Sequence, residues 1–73
     1  MSNAIYNKKY KGIVEKLKKA RLQSGYSQVE IAKKMKRPQS HVSKIESGDQ
    51  QINILELQEL ATIYKKDIKY FLK

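Results

Sequence analysis

Hydrophobic residues recur along the chain at the three- and four-residue spacing of helices, and no stretch alternates hydrophobic and polar residues for long enough to predict a strand. The first hydrophobic stripe consists of Tyr6, Tyr10, Ile13, Leu17 and Ala20. It stops before Gly25, a residue suited to the left-handed cap that closes a helix. The spacing predicts a first helix over about residues 8–24, with Asn7 as its cap.

Two capping boxes mark the starts of further helices. Ser27 followed by Glu30 predicts a second helix that runs to about Met35. Asn53 followed by Glu56 predicts a fourth helix in the same way. The apolar residues expected to pack from this fourth helix are Ile54, Leu57, Leu60, Ala61 and Tyr64.

Between these boxes, a third helix is predicted from Pro38, which a first helical turn tolerates, to Gly48. Asp67 is expected to cap a short fifth helix. Five helices on short loops, without repeats or linkers, predict a compact all-α domain over residues 7–73. We expect residues 1–6 to form an N-terminal tail, disordered or in part a scar of tag removal, since residues 2–4 read SNA.

The third helix has little to bury and many short polar groups to display. Val42 and Ile45 share its inner side, and the opposite side carries Gln39, Ser40, Ser43 and Lys44. Amide, hydroxyl and ammonium groups match the hydrogen-bonding edges of base pairs in the major groove of DNA. The alternative is an ordinary polar helix surface.

Charge is distributed unevenly along the chain. Residues 1–44 contain twelve Lys and Arg against two acids, a net +10, and residues 45–73 contain four Lys against five acids, a net −1. This imbalance favours a polyanionic partner, although a solvated basic surface would look the same.

Several other classes of function find little support in the composition. The chain has no cysteine and one histidine, so we expect no disulfide, no metal site and no cofactor. No uncharged stretch could span a bilayer and no signal-peptide pattern opens the chain, which predicts a cytoplasmic, nucleoid-associated protein. No catalytic constellation is visible, so we expect no enzymatic activity.

The segment SQVEIAKKM followed by PQSHVSKIESG resembles the lambda-repressor-like, Cro/XRE-type helix-turn-helix family of bacterial and phage transcriptional regulators. The resemblance covers about residues 16–72 and includes an arginine in the first helix and a leucine-rich fourth helix. It implies a double-stranded DNA-binding domain in which the third helix, about residues 38–47, reads the major groove.

The resemblance also implies roles for individual residues. Gln39, Ser40, Ser43 and Lys44 match the base-reading and flanking positions, and Gln28 matches a phosphate contact. Arg21 and Glu46 match a structural ion pair between the first and third helices. The positive end of the second helix and the basic residues around the turn extend the candidate phosphate contacts, which are Ser27, Gln28, Lys33, Lys36, Arg37 and His41. For His41, a surface position beside the DNA is the alternative.

The turn between the second and third helices departs from the family pattern. Lys36 stands where a glycine is usual, Arg37 where an aliphatic residue is usual, and Pro38 replaces a Ser or Thr cap. A left-handed lysine costs about 1 kcal/mol, so we expect a tighter or differently shaped turn.

We expect a sequence-specific transcriptional regulator, a repressor that binds a palindromic operator as a homodimer. The candidate dimer surface consists of Ile52, Leu55, Tyr70, Phe71 and Leu72. Of these, Tyr70, Phe71 and Leu72 could instead close the core of the monomer. The main alternative is an antitoxin-type regulator that binds a toxin-like protein partner as well as DNA. RNA binding and membrane association of the basic first helix rank lower, and no small-molecule ligand is evident.

Overall fold

The computed structural model describes residues 8–72, and within them every regular element is an α-helix. The five helices are α1 (Lys8–Ser24), α2 (Gln28–Met35), α3 (Gln39–Ser47), α4 (Ile54–Ile63) and α5 (Ile68–Leu72). The prediction of a compact five-helix, all-α domain is therefore confirmed. The predictions for Tyr6, for Asn7 as a cap and for a tail over residues 1–6 concern residues outside the described range.

Both predicted capping boxes form. The Ser27 hydroxyl accepts a hydrogen bond from the Glu30 N–H at 3.1 Å, and the Glu30 carboxylate accepts from the Ser27 N–H at 2.8 Å. At α4, the Asn53 side chain accepts from the Glu56 N–H at 2.8 Å, and the Glu56 carboxylate accepts from the Asn53 N–H at 3.4 Å. Each box satisfies two backbone donors that the helix itself cannot satisfy, so the sequence fixes where α2 and α4 begin.

The turn between α2 and α3 corrects one expectation. Lys36 adopts φ 58° and ψ 44°, the left-handed conformation that glycine favours. The Lys36 N–H donates to the Lys33 carbonyl at 3.1 Å, and the Arg37 N–H donates to the Ala32 carbonyl at 2.9 Å. These bonds make a regular left-handed helix end, so the turn is neither tightened nor reshaped by the lysine. Pro38 follows as the N-cap of α3, without a side-chain capping bond.

A single hydrophobic core joins all five helices. Its most deeply buried large side chains are Leu17 of α1, Ile31 of α2, Ile45 of α3 and Phe71 of α5. Helix α3 packs against both α1 and α2, and α5 packs against α1 and α4. The inner side of α3 is therefore fixed by its packing against α1 and α2, and its outer side is directed away from the core.

Four residues lie in positions that bear on the predicted dimer surface or on the predicted core. Phe71 is 1% exposed, so it closes the core and is removed from the candidate dimer surface. Ile52 and Tyr70 are partly buried and pack against the core, which also limits what they can offer a second molecule. Ile54 was expected in the core but is 61% exposed, because helical periodicity identifies a face without showing how far neighbouring elements cover it.

Candidate nucleic-acid interface

The outer face of α3 consists of Gln39, Ser40, Ser43 and Lys44, and all four side chains are exposed. Val42 and Ile45, on the opposite side, are buried. No acidic residue precedes Glu46 in this helix. The structure therefore brings the four predicted base-reading residues together on one accessible surface that offers hydrogen-bond donors and acceptors without a carboxylate among them.

Candidate phosphate contacts lie at the two ends of α2. Ser27 caps the helix start, where free backbone N–H groups and the helix dipole favour an anion. Gln28 follows in the first turn and is half-buried. Lys33, Lys36 and Arg37 are exposed near the other end and in the turn toward α3. These residues therefore place hydrogen-bond donors at the start of α2 and positive charge near its end and in the turn that leads to α3.

Arg21 and Glu46 form the expected ion pair. The Arg21 Nε lies 2.8 Å from the Glu46 Oε2, and Nη2 lies 3.1 Å from Oε1, so the two side chains meet at two points. Both are largely buried, with side-chain exposures of 10% and 6%. The hydrogen bond to Glu46 raises the pKa of Arg21 and outweighs the opposing effect of burial. The pair joins the end of α1 to the end of α3.

Two further hydrogen bonds extend from this ion pair. The Arg21 Nη1 donates to the Tyr26 carbonyl at 2.9 Å, in the loop that leads to α2. The Gln28 amide nitrogen donates to the Glu46 Oε1 at 3.0 Å. We call Arg21, Gln28 and Glu46 the Glu46 cluster. The link between Gln28 and Glu46 was not predicted, because the two residues are 18 positions apart and no periodic pattern relates them.

His41 is placed differently from both expectations. Its Nε2 lies 2.6 Å from the Glu56 Oε2, and its Nδ1 lies 2.9 Å from the Gln50 amide nitrogen. The His41 side chain is 13% exposed and that of Glu56 is 8% exposed. Since both ring nitrogens are engaged inside the fold, His41 is removed from the candidate phosphate contacts and is not an open surface histidine. It instead connects α3 to the start of α4.

Tyr10 is a second residue whose role was missed. It was identified as part of the α1 apolar stripe, but its hydroxyl accepts from the Ile52 N–H at 2.8 Å and donates to the Gln50 carbonyl at 3.3 Å. These bonds fasten the loop between α3 and α4 to α1. Because the Gln50 side chain contacts His41, Tyr10 also supports the position of the histidine. The available signal was the tyrosine itself, because a hydroxyl on an apolar stripe needs a hydrogen-bond partner when it is buried.

A protein-family model described as Helix-turn-helix matches residues 17–71, which include α2, the turn and α3. The chain belongs to the Cro and lambda-repressor type of helix-turn-helix family. The resemblance predicted from its motifs is thereby confirmed. No curated protein and no solved structure matches the chain.

Membership of this helix-turn-helix family makes the protein a DNA-binding transcription regulator. In helix-turn-helix domains, the second helix of the motif enters the major groove and the first crosses the backbone. Here those helices are α3 and α2. The family is not typically enzymatic.

Over residues 8–72, no three His, Cys, Asp or Glu side chains come together in a way that could hold a metal ion. Within the same residues, no helix is both long and apolar enough to cross a membrane.

Proposed function

We propose that this helix-turn-helix protein is a sequence-specific repressor that binds a palindromic operator as a homodimer. The observation that carries the proposal is the outer face of α3. Four exposed side chains of short or moderate length project from a helix that the core holds rigidly from behind. An ordinary surface helix would more often carry acid and base pairs spaced to neutralise each other.

The proposed contacts divide into two groups. Gln39, Ser40, Ser43 and Lys44 read base edges, because glutamine pairs well with adenine, lysine with guanine, and serine with either. Ser27, Gln28, Lys33, Lys36 and Arg37 contact phosphate oxygens and fix the position of the domain on the duplex.

The distribution of charge also supports an arrangement in which α2 and α3 face the DNA. Residues 1–44 carry the excess positive charge, and they include α1, α2 and most of α3. Each lysine or arginine that neutralises a phosphate releases counterions, so affinity should fall steeply with salt. The charge excess supplies affinity for any duplex, and the outer face of α3 supplies the preference among sequences.

A homodimer is proposed because one recognition helix spans only a few base pairs. Of the candidate dimer surface, Leu55 and Leu72 remain, and they are 74% and 54% exposed. Ile54, which is 61% exposed, is added to them. Exposed large apolar residues on so small a domain are suited to a second copy. Such a dimer would repress transcription where its operator overlaps a promoter.

The test is selection of a randomised duplex pool by the purified protein near physiological salt, followed by sequencing. We expect an inverted repeat with half-sites separated by about one helical turn. The matched control is the double variant with Gln39→Ala and Lys44→Ala, which should retain salt-dependent binding but lose the motif. Failure of the parent protein to enrich any motif while folded would contradict the proposal and direct the search to a protein partner.

A further inference from the structure

We propose that Glu46 is a positioning residue for DNA binding, which orients the Gln28 amide so that it can donate to a backbone phosphate. This inference rests on the proposed function and assigns a further residue to it. Glu46 itself does not face the bases, since it follows the outer face at the far end of α3 and its side chain is 6% exposed.

The geometry defines which way the Gln28 amide points. Glu46 is a carboxylate that accepts from Arg21 and from the Gln28 nitrogen at 3.0 Å. Because a carboxylate only accepts, it selects the nitrogen of the amide and turns the oxygen away. A phosphate also only accepts, so the second N–H of the same nitrogen is the group it requires. The hydrogen bond to Glu46 therefore orients the Gln28 amide for a second hydrogen bond to a phosphate.

Orientation matters because a glutamine side chain is flexible. Without a partner it samples many rotamers, and it presents its oxygen as readily as its nitrogen. Gln28 is half-buried in the first turn of α2 and already bonded within the fold. The ordering that a phosphate contact demands is therefore largely complete before DNA arrives.

Arg21 makes this arrangement compatible with DNA. A carboxylate so close to a phosphate contact would repel the backbone, but Glu46 meets Arg21 at two points, 2.8 and 3.1 Å. The pair is neutral overall. Arg21 also donates to the Tyr26 carbonyl at 2.9 Å, so the cluster holds the loop that leads into α2 as well as the side chain of Gln28.

The experiment is a double-mutant cycle in affinity for the selected operator, with Gln28→Ala and Glu46→Gln. In the parent background, Gln28→Ala should weaken binding about tenfold, as expected for one hydrogen bond to a charged group. In the Glu46→Gln background, the same substitution should cost less than about twofold. The matched control is Lys33→Ala, a proposed phosphate contact outside the Glu46 cluster, whose cost should be the same in both backgrounds.

A second measurement reports on orientation without DNA. The side-chain amide signals of Gln28 are identified in nitrogen–proton NMR spectra by their absence from Gln28→Ala. Glu46→Gln should move them toward the positions of exposed glutamines, and Lys33→Ala should leave them in place. If Glu46→Gln does not fold, Glu46→Asp serves instead, since it keeps the charge for Arg21 but withdraws the carboxylate from Gln28.

If the losses in operator-binding free energy caused by Gln28→Ala and Glu46→Gln were additive, the inference would be overturned, but the proposed function would stand. Unchanged operator affinity of Gln28→Ala in the parent background would overturn the inference too, because Gln28 would then make no phosphate contact for Glu46 to position. If the parent protein selected no operator, the proposed function itself would be contradicted. That result is distinct from an operator that is bound without coupling between Gln28 and Glu46.

Discussion

At the scale of residues, two largely buried carboxylates hold α3 in place from opposite ends. Glu46 pairs with Arg21 of α1, and Glu56 of α4 meets His41 at 2.6 Å. Every buried side-chain nitrogen and oxygen among the described residues has a hydrogen-bond partner. Satisfied polar contacts of this kind define one geometry, because any shift of α3 would leave a buried charge or ring nitrogen without its partner.

Arg21→Ala is predicted to destabilise the fold by about 3–5 kcal/mol, because it leaves the Glu46 carboxylate buried without its cation. The measurement is the free energy of unfolding in urea, supported by the thermal midpoint. Lys19→Ala, at an exposed lysine of the same helix, is the control and should change stability by less than about 0.5 kcal/mol. Equal stability of Arg21→Ala and the parent would show that the ion pair contributes nothing to folding.

Glu30→Gln is predicted to change how stability depends on pH. Hydrogen bonds from Ser27, first from its backbone, lower the pKa of Glu30 below the value of 4.5 that applies to the unfolded chain. A lowered folded-state pKa gives stability that is fully present above pH 4.5 and is lost as pH falls through the folded-state pKa. The thermal midpoints of parent and variant should therefore differ at pH 7 and converge near pH 2. A difference that persisted undiminished in acid would contradict this role.

At the scale of elements, the helix-turn-helix unit ends its first helix with a lysine in a glycine conformation. Lys36 adopts φ 58°, and Lys65 adopts φ 57° in the turn after α4. Such conformations bring Cβ close to the backbone and are sustained by the surrounding hydrogen bonds. Lys36 is exposed in the turn that leads to α3, so the strained lysine adds a positive charge where a glycine would add none.

Lys36→Gly is accordingly predicted to stabilise the protein by up to about 1 kcal/mol while weakening DNA binding. Chemical denaturation measures the first effect and a binding titration measures the second. Lys34→Gly, within α2, is the matched control and should destabilise the protein by about 1 kcal/mol. Destabilisation by both substitutions would show that the left-handed lysine is not strained.

The outer face of α3 and the basic residues of α2 should respond differently to substitution. Gln39→Ala is predicted to weaken binding to the selected operator by about 1–3 kcal/mol and to relax the sequence preference of the protein. Lys33→Ala should weaken binding to all sequences alike and reduce the salt slope by about one. Titrations of operator and scrambled duplexes at several salt concentrations separate the two effects. Unchanged operator binding by Gln39→Ala would contradict the base-reading role of this face.

At the scale of the whole molecule, the net positive charge belongs to the first 44 residues, whereas exposed apolar side chains occur in both parts of the chain. Among the described residues, the exposed large hydrophobic side chains are Leu22 and Val29 in the basic part, and Ile54, Leu55 and Leu72 in the remainder, whose net charge is −1. We propose that the basic part contacts a polyanion and that the exposed apolar residues of α4 and α5 contact a second copy of the chain.

Leu55→Glu is therefore predicted to weaken self-association, measured by sedimentation equilibrium, and to lower affinity for a two-half-site operator more than for one half-site. Burial of a charge in an apolar contact is the reason. Leu22→Glu is the matched control, because it introduces the same charge at a leucine of α1 that is also exposed, at 60%. Equal effects of the two substitutions would remove Leu55 from the dimer surface.

Most of the helix boundaries could be predicted because their signals are local. Ser27 and Asn53 each cap a helix through contacts within three residues, and Gly48 ends α3 with φ 85°. The outer face of α3 was likewise predictable, since residues four apart on a helix must share a side. The sequence by itself therefore determined the five helices, their order and the set of side chains that α3 displays.

Tertiary structure alone decided which polar residues face inward and which apolar residues remain outside. His41 meets Glu56, Gln28 meets Glu46, and Phe71 is buried while its neighbour Leu72 is exposed. The side chains of these polar pairs are 15 and 18 positions apart, so their contacts depend on how the helices pack and leave no periodic trace in the sequence. Local rules fix where a helix lies along the chain, but only packing fixes what its side chains touch.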